Sequence, residues 1–136
     1  MIYICAQPAT LYYGWQLDTM LYNFRDIGID LTNVHIVCSF KTPIDPYFFV
    51  LEKKYNAKFF YYQDTRKQPK YISSIRPHIL AKHFQQNDYL KNTPIFYHDC
   101  DIVLARPLSL DKYLDDNINY LSDTISYIGH DYIISK

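Results

Sequence analysis

The 136-residue chain holds only three glycines, Gly14, Gly28 and Gly129. No Gly-x-Gly-x-x-Gly follows the first apolar run, so a dinucleotide-binding turn is not expected, and Gly14 alone makes no fingerprint. The absence of Gly-x-x-x-x-Gly-Lys-Ser/Thr removes the P-loop class, and that of Gly-x-Ser-x-Gly removes the hydrolase nucleophile elbow. An excess of one charge is missing too. Lys plus Arg and Asp plus Glu number 14 each, which leaves no basic field for a nucleic-acid backbone, and nucleic acid is not an expected partner. Cysteine is sparse and odd in number. Cys5, Cys38 and Cys100 lack paired metal spacing, and two of them lie inside apolar runs; they read as buried thiols of a reducing compartment, so the expected location is cytoplasmic. His98 near Cys100 is too little for a zinc site. No stretch reaches the ~20 apolar residues of a spanning helix, and neither a membrane span nor a signal peptide is expected.

What is present is apolar: 49% of the residues are hydrophobic and 18% aromatic, enough for one domain, 1–136, with a sizeable core. The 15 tyrosines accompany many Ile, Asn and Lys, and strand propensity accounts for them better than stacking on bases or sugars. Along the chain, apolar runs alternate with helical stripes. Ile2–Ala6, Val34–Cys38, Lys58–Tyr62 and a run starting at Pro94 predict four strands. Between them, Leu17, Met20, Leu21 and Phe24 form one helical stripe, with Gly28 as its C-terminal cap. Asp45 and Pro46 open a second helix carrying Phe48, Leu51 and Tyr55. Pro77 sits in the first turn of a third, with Ile79, Leu80 and Phe84 on its buried side, fraying through residues 85–88. Strands separated by helices predict an α/β fold: a three-layer, Rossmann-like domain with a mostly parallel central sheet. Ligands of such sheets bind beyond the carboxyl ends of the strands, which gathers Ala6, Gln7 and Pro8, then Asp64 and Arg66, then Asp99 and Asp101 at one crevice.

The last group carries the most chemistry. Ile95-Phe96-Tyr97-His98-Asp99-Cys100-Asp101-Ile102-Val103-Leu104 is an apolar run that delivers two carboxylates one residue apart and then turns apolar again. A carboxylate at such a place either stays in solvent or shares a cation. Hard cations such as Mg²⁺ and Mn²⁺ take oxygen ligands, and a Mg²⁺-type site commonly uses one or two carboxylates while phosphate oxygens and water complete the shell. The other reading is a turn with two solvated acids. His35, His78, His83 and His98 read as packing or surface residues.

The element order, together with Phe96-Tyr97-His98-Asp99-Cys100-Asp101-Ile102-Val103-Leu104-Ala105-Arg106-Pro107-Leu108, resembles the nucleotide-binding half of a GT-A glycosyltransferase. Tyr120 to Gly129 also resembles the segment downstream of the acids in some members. The resemblance implies a metal-dependent transferase acting on a nucleotide-diphosphate sugar, a UDP-sugar first, with an acceptor that the sequence does not name. It implies Mn²⁺ or Mg²⁺ as cofactor, Asp101 as principal metal ligand and Asp99 facing metal or ribose. Ala6, Gln7 and Pro8 would meet base and ribose, Asp64 and Arg66 base or diphosphate, and Arg76 would approach the donor. Members of the family continue into an acceptor-binding half, so a C-terminal extension or a partner chain is expected; His130 and Asp131 are the late residues that could serve as ligand or base. Two other readings stand beside this one. A non-catalytic nucleotide-sugar-binding domain or fragment shares the same site. A haloacid-dehalogenase-like phosphatase would use Asp99 as covalent nucleophile, but its Asp-x-Asp ends the first strand, whereas three strands precede this one.

Overall fold

The computed structural model describes residues 1–41, 43–67, 71–108, 118–121 and 134. Among these, four strands, β1 (Ile2–Pro8), β2 (Val34–Phe40), β3 (Lys58–Gln63) and β4 (Ile95–Tyr97), form an all-parallel sheet in the order β3-β2-β1-β4. The helices α1 (Leu11–Asp26), α2 (Tyr47–Lys54) and α3 (Ile75–Gln86) connect successive strands. The expected α/β architecture is therefore present, with helices on both faces of the sheet.

β1 and β2 are near-continuous runs of buried residues, as strands covered on both faces must be. The two-residue period divides them between two cores. Tyr3, Cys5, Val34, Ile36 and Cys38 pack with Leu17, Met20, Leu21, Phe24, Phe48 and Leu51 under α1 and α2. Ile2, Ile4, Ala6 and Val37 face Ile75, Ile79 and Leu90 under α3 and the 3₁₀ turn Asp88–Asn92. Burying each large aliphatic or aromatic side chain contributes about 1.5–3 kcal/mol before ordering entropy is subtracted.

Both central strands extend two residues beyond their apolar runs, and for β1 the backbone explains how a proline can end it. Ile4 O accepts from His98 N–H at 3.0 Å, while Ala9 N–H donates to Ser39 O at 2.8 Å. Even-numbered residues of β1 thus turn their backbone groups toward β4 and odd-numbered ones toward β2. Pro8, lacking an N–H, faces the β4 side where that strand has already stopped.

α1 begins earlier than its buried stripe, after Thr10, and packs closely on α2. A Cβ on Gly14 would stand 2.8 Å from Tyr47 Cδ1, so this glycine is where the two helices touch. Four residues on, Asp18 accepts from Tyr47 Oη (2.6 Å), Tyr55 Oη (2.5 Å) and Lys54 Nζ (2.7 Å). Burial pushes this carboxyl up, but those three bonds outweigh it and hold it below the usual range. The start of α2 matches its reading: Asp45 Oδ1 accepts from Tyr47 N–H at 2.9 Å.

α1 is closed by Gly28, two residues past its last helical residue, as its position in the sequence indicates. The backbone there has φ +85°, Gly28 N–H donates to Arg25 O and Ile29 N–H to Phe24 O, and Ile29 packs in the same core as Phe24. No atom stands within 4 Å of a Cβ added at Gly28, so backbone conformation alone sets the penalty. Gly28→Ala is expected to lower unfolding stability by about 1–2 kcal/mol in urea titrations, and Gly28→Asn by less. Equal stability of the alanine variant and the parent would show that this cap does not need its left-handed conformation.

Candidate functional site

The strand order reverses between β1 and β4, the place where an open parallel sheet leaves room for a ligand. The strands do not end level. Tyr97 pairs with Ile4, whereas β1, β2 and β3 run on through Pro8, Ser39, Phe40 and Gln63. The acids that follow β4 therefore leave the sheet lower than the other strand ends, beside Ala6 rather than beside Pro8. Ala6 and Gln7 lie inside β1 and are buried; Ala6 closes the predicted apolar run, and Gln7, expected beyond it, continues the strand. By the alternation described above, Ala6 turns its backbone N–H and C=O toward the β4 side; separately, the Gln7 side-chain amide lies against β2, with Nε2 3.3 Å from Val37 O.

Above the other three strand ends lies a crevice of about 180 Å³. Pro8, Ala9 and Thr10 line it from β1, Ser39, Phe40, Lys41 and Pro43 from β2, Asp64 and Arg66 from β3, and Ile75 from α3. Pro8, Asp64 and Arg66 are thus brought together as expected. Ala9, Thr10 and Lys41 were missed, because β1 ends later than its apolar run and the end of β2 was not counted among the contributors. Applying the carboxyl-end rule to every strand finds Lys41.

Asp64 and Arg66 brace each other within this crevice. Arg66 Nε donates to Asp64 Oδ1 at 2.9 Å and Nη2 to Oδ2 at 3.0 Å, a bidentate pair, while Nη1 donates to Ser74 Oγ at 2.7 Å and ties β3 to the start of α3. The Arg66 guanidinium, with help from Lys41 at 3.5 Å, holds the Asp64 carboxyl well below the usual carboxylate range. Charged groups in the lining are two cations, Lys41 and Arg66, and one carboxylate, Asp64. The surplus is one positive charge, carried by the half-exposed Lys41. Such a crevice attracts an anion.

The acidic turn is organised by its buried members. Cys100 is buried and its thiol donates to Gln16 Oε1 on α1 at 3.2 Å; His98 is buried among Tyr3, Phe24 and Phe96, and its Nδ1–H donates to Asp99 O at 2.8 Å. With residues 98 and 100 fixed inward, Asp99 and Asp101 project outward and are exposed. From there to Leu108 the chain forms no further strand. Asn23 on α1 clamps Leu104, its Oδ1 accepting from Leu104 N–H at 2.9 Å and its Nδ2 donating to Leu104 O at 3.1 Å. All three cysteines are free and buried, and burial pushes the Cys100 thiol up to about 12.

Arg76, one residue after Ile75, reaches Asp99: Nη1 stands 3.3 Å from Oδ1. The first turn of α3 therefore joins the crevice to the acids. Among the described residues, no three His, Cys, Asp or Glu side chains come together as a metal cage, and no helix is long and apolar enough to cross a membrane. Asp99 and Asp101 offer two exposed carboxylates, which do not make a cage by themselves; a hard cation such as Mg²⁺ or Mn²⁺ would need phosphate oxygens and water to complete its shell there. His130 and Asp131 lie outside the described residues.

No family model matches the chain, and comparisons with curated proteins and with solved structures give no match.

The Asp64–Arg66 pair yields a pH signature. A carboxyl held below its ordinary 3.8 contributes stability that is present above that value and is lost as pH falls below it. Asp64→Asn removes the bidentate charge-assisted bonds that Asp64 accepts from the Arg66 guanidinium and is expected to lower stability by about 1–3 kcal/mol near neutrality. The deficit should shrink when urea unfolding is repeated below about pH 3, where the parent's unfolded chain takes up a proton on Asp64 that the folded carboxylate does not. A deficit of the same size at both pH values would mean that packing, not charge, is what Asp64 contributes.

Proposed function

We propose that this chain is the nucleotide-sugar-binding unit of a metal-dependent glycosyltransferase of GT-A type, with a UDP-sugar as donor. The observation that carries the reading is the position of Asp99-Cys100-Asp101 beside β1, where the strand order reverses, with an electropositive crevice over the neighbouring strand ends. In this reading the crevice takes base and ribose, with Pro8, Ala9 and Thr10 on one side and Asp64 opposite. Lys41 and Arg76 meet the diphosphate. Asp101 and Asp99 would hold a Mn²⁺ or Mg²⁺ ion, which would take phosphate oxygens and water to complete its shell. When bound, that ion would neutralise charge on the departing diphosphate. The acceptor, and a C-terminal extension or partner chain to hold it, belong to the same proposal.

The position of the acids also weighs against phosphatase chemistry. A nucleophilic aspartate of that kind would follow the first strand, while Asp99 follows β4, beyond three earlier strands. Mass spectrometry after exposure to a phosphoryl donor with a fluoride trap is expected to find no phospho-aspartate at Asp99; finding one would transfer the case to the phosphatase reading.

Calorimetric titration of UDP with and without Mn²⁺ tests the donor site directly. Because neither two carboxylates nor a diphosphate alone completes a hard cation's shell, Mn²⁺ is expected to tighten UDP by about tenfold or more, equivalent to ~1.4 kcal/mol. Asp101→Asn should abolish that enhancement while unfolding within about 0.5 kcal/mol of the parent, since the side chain is exposed. Equal UDP affinity with and without Mn²⁺ sinks the metal assignment, and a variant that unfolds makes Asp101 a structural residue.

A further inference from the structure

Away from the crevice, the core under α3 contains a polar chain that the proposed function does not use. His35 on β2 and His83 on α3 are both fully buried, and His35 Nδ1 lies 3.0 Å from His83 Nε2. Tyr62 Oη from β3 lies 2.9 Å from His83 Nδ1, and Tyr89 Oη from the 3₁₀ turn lies 3.2 Å from His35 Nε2. Four elements are thereby strung together by three hydrogen bonds.

The protons in this chain can be assigned. Asn87 Nδ2 donates to His83 O at 2.9 Å, which fixes the orientation of the amide, and the same nitrogen stands 3.3 Å from His83 Nδ1. Nδ1 of His83 is therefore an acceptor, and Tyr62 donates to it. His83 Nε2–H then donates to His35 Nδ1, and His35 Nε2–H donates to Tyr89 Oη. Each neutral ring has one donor and one acceptor, and both are used. A proton added at His35 Nδ1 would face the N–H of His83. A proton added at His83 Nδ1 would face the amide N–H of Asn87. Two charged rings would stand in contact.

Among the described residues, the groups packed around the pair include no carboxylate. From β3 come Tyr62, the Phe60 ring and, at the strand's start, Lys58, which opposes a positive charge on His35. From α3, Phe84 packs on His83, while Lys82 is drawn away to Gln63 O and Thr65. Asp88 and Lys91, flanking Tyr89, are exposed and paired with each other at 2.6 Å. β1 contributes the apolar Ile2 and Ile4 to this core.

We propose that the Tyr89–His35–His83–Tyr62 chain is an acid-sensitive fastening that holds α3 and the Asp88–Asn92 turn to the sheet, and that protonating it releases them and opens the crevice wall. The link to the crevice is covalent and short: α3 begins at Ile75, which lines it, directly after Ser74, which holds Arg66. The inference does not depend on what the crevice binds. Burial pushes both imidazoles down to about 4, so the unfolded chain takes up protons first as pH falls. Stability from the pair is complete above the ordinary 6.5 and is lost between there and about 4.

Hydrogen exchange read by mass spectrometry at about pH 7 and about pH 4.5, corrected for intrinsic rates, tests this on the intact chain. Protection across residues 75–92 is expected to fall at least about tenfold more than protection in α1, the effect of one pKa unit. In ¹⁵N-histidine spectra, both rings should carry the proton on Nε2 near neutrality and should titrate together with the loss of α3 protection. The triple change Tyr62→Phe, His35→Leu, His83→Leu removes the groups that titrate and should make α3 protection independent of pH. If that variant does not fold, the two measurements on the parent protein decide. Uniform loss across α1 and α3, retained protection of α3 at the lower pH, or either ring titrating near 6.5 with α3 still protected would each overturn the proposal.

Discussion

The rest of the structure depends on β1 having a neighbour on each edge and a helical layer on each face. A strand in that position must be apolar on both faces, and Ile2 to Ala6 is; its backbone must be paired in two directions, and it is paired only as far as β4 reaches. Because β4 stops opposite Ile4 while β1 continues to Pro8, the last residues of β1 have one unmatched edge. That mismatch is the floor of the region between Ala6 and the acidic turn. A longer β4 would fill it, and a β1 that ended at Ala6 would remove Pro8 from the crevice. The candidate region thus arises from unequal strand lengths at the reversal of strand order, with no glycine-rich loop among the described strand ends.

Four aspartates illustrate how the fold divides carboxylates between structure and solvent. Asp18 and Asp64 are each satisfied by several donors, one binding α1 to α2 and the other binding β3 to α3. Both are held ionised below the usual range by those donors. Asp99 and Asp101 are exposed, and the residues between and before them are the ones that are buried. A buried thiol in the middle of an acidic turn is an effective way to keep two acids outward: the small, weakly polar Cys100 enters the core and needs only one bond, to Gln16.

Much of this was legible in the sequence. Short apolar runs located every strand, and Gly28 located the end of α1 because only a residue tolerant of positive φ closes that turn. The Asp45 cap was readable for the same kind of local reason. Strand order was not readable, since it is set by which helix covers which face, and that depends on contacts between residues far apart in the chain. The ends of β1 and β2 were misjudged where polar or proline residues continue a ladder whose partner strand supplies the hydrogen bonds. Within the site, Asp99, Asp101, Asp64 and Arg66 were found by residue type at strand ends, whereas Lys41 depends on β2 running to Phe40. The His35–His83 contact, 48 residues apart, was invisible: each histidine alone reads as packing, and only the packing of α3 on the sheet turns two such residues into a connected chain.

α3 is the element through which these features communicate. Its first turn supplies Ile75 to the crevice and Arg76 to Asp99, and Ser74 before it receives Arg66. Its middle supplies Ile79 to the core and, one turn on, His83 to the buried chain. The first set of contacts lies at the partly solvated end, where an ion pair such as Arg76–Asp99 contributes at most about 1 kcal/mol. Apolar burial and the hydrogen-bonded chain through the buried His35 and His83 therefore determine whether α3 is docked, and the polar contacts at its start determine what the docked helix presents. An arginine that neutralises Asp99 weakly can exchange it for an anion without undocking the helix. The same weakness means that Arg76 cannot hold the acidic turn in place; that task falls to Cys100, His98 and the Asn23 clamp on Leu104, all of which face α1 or the core beneath it.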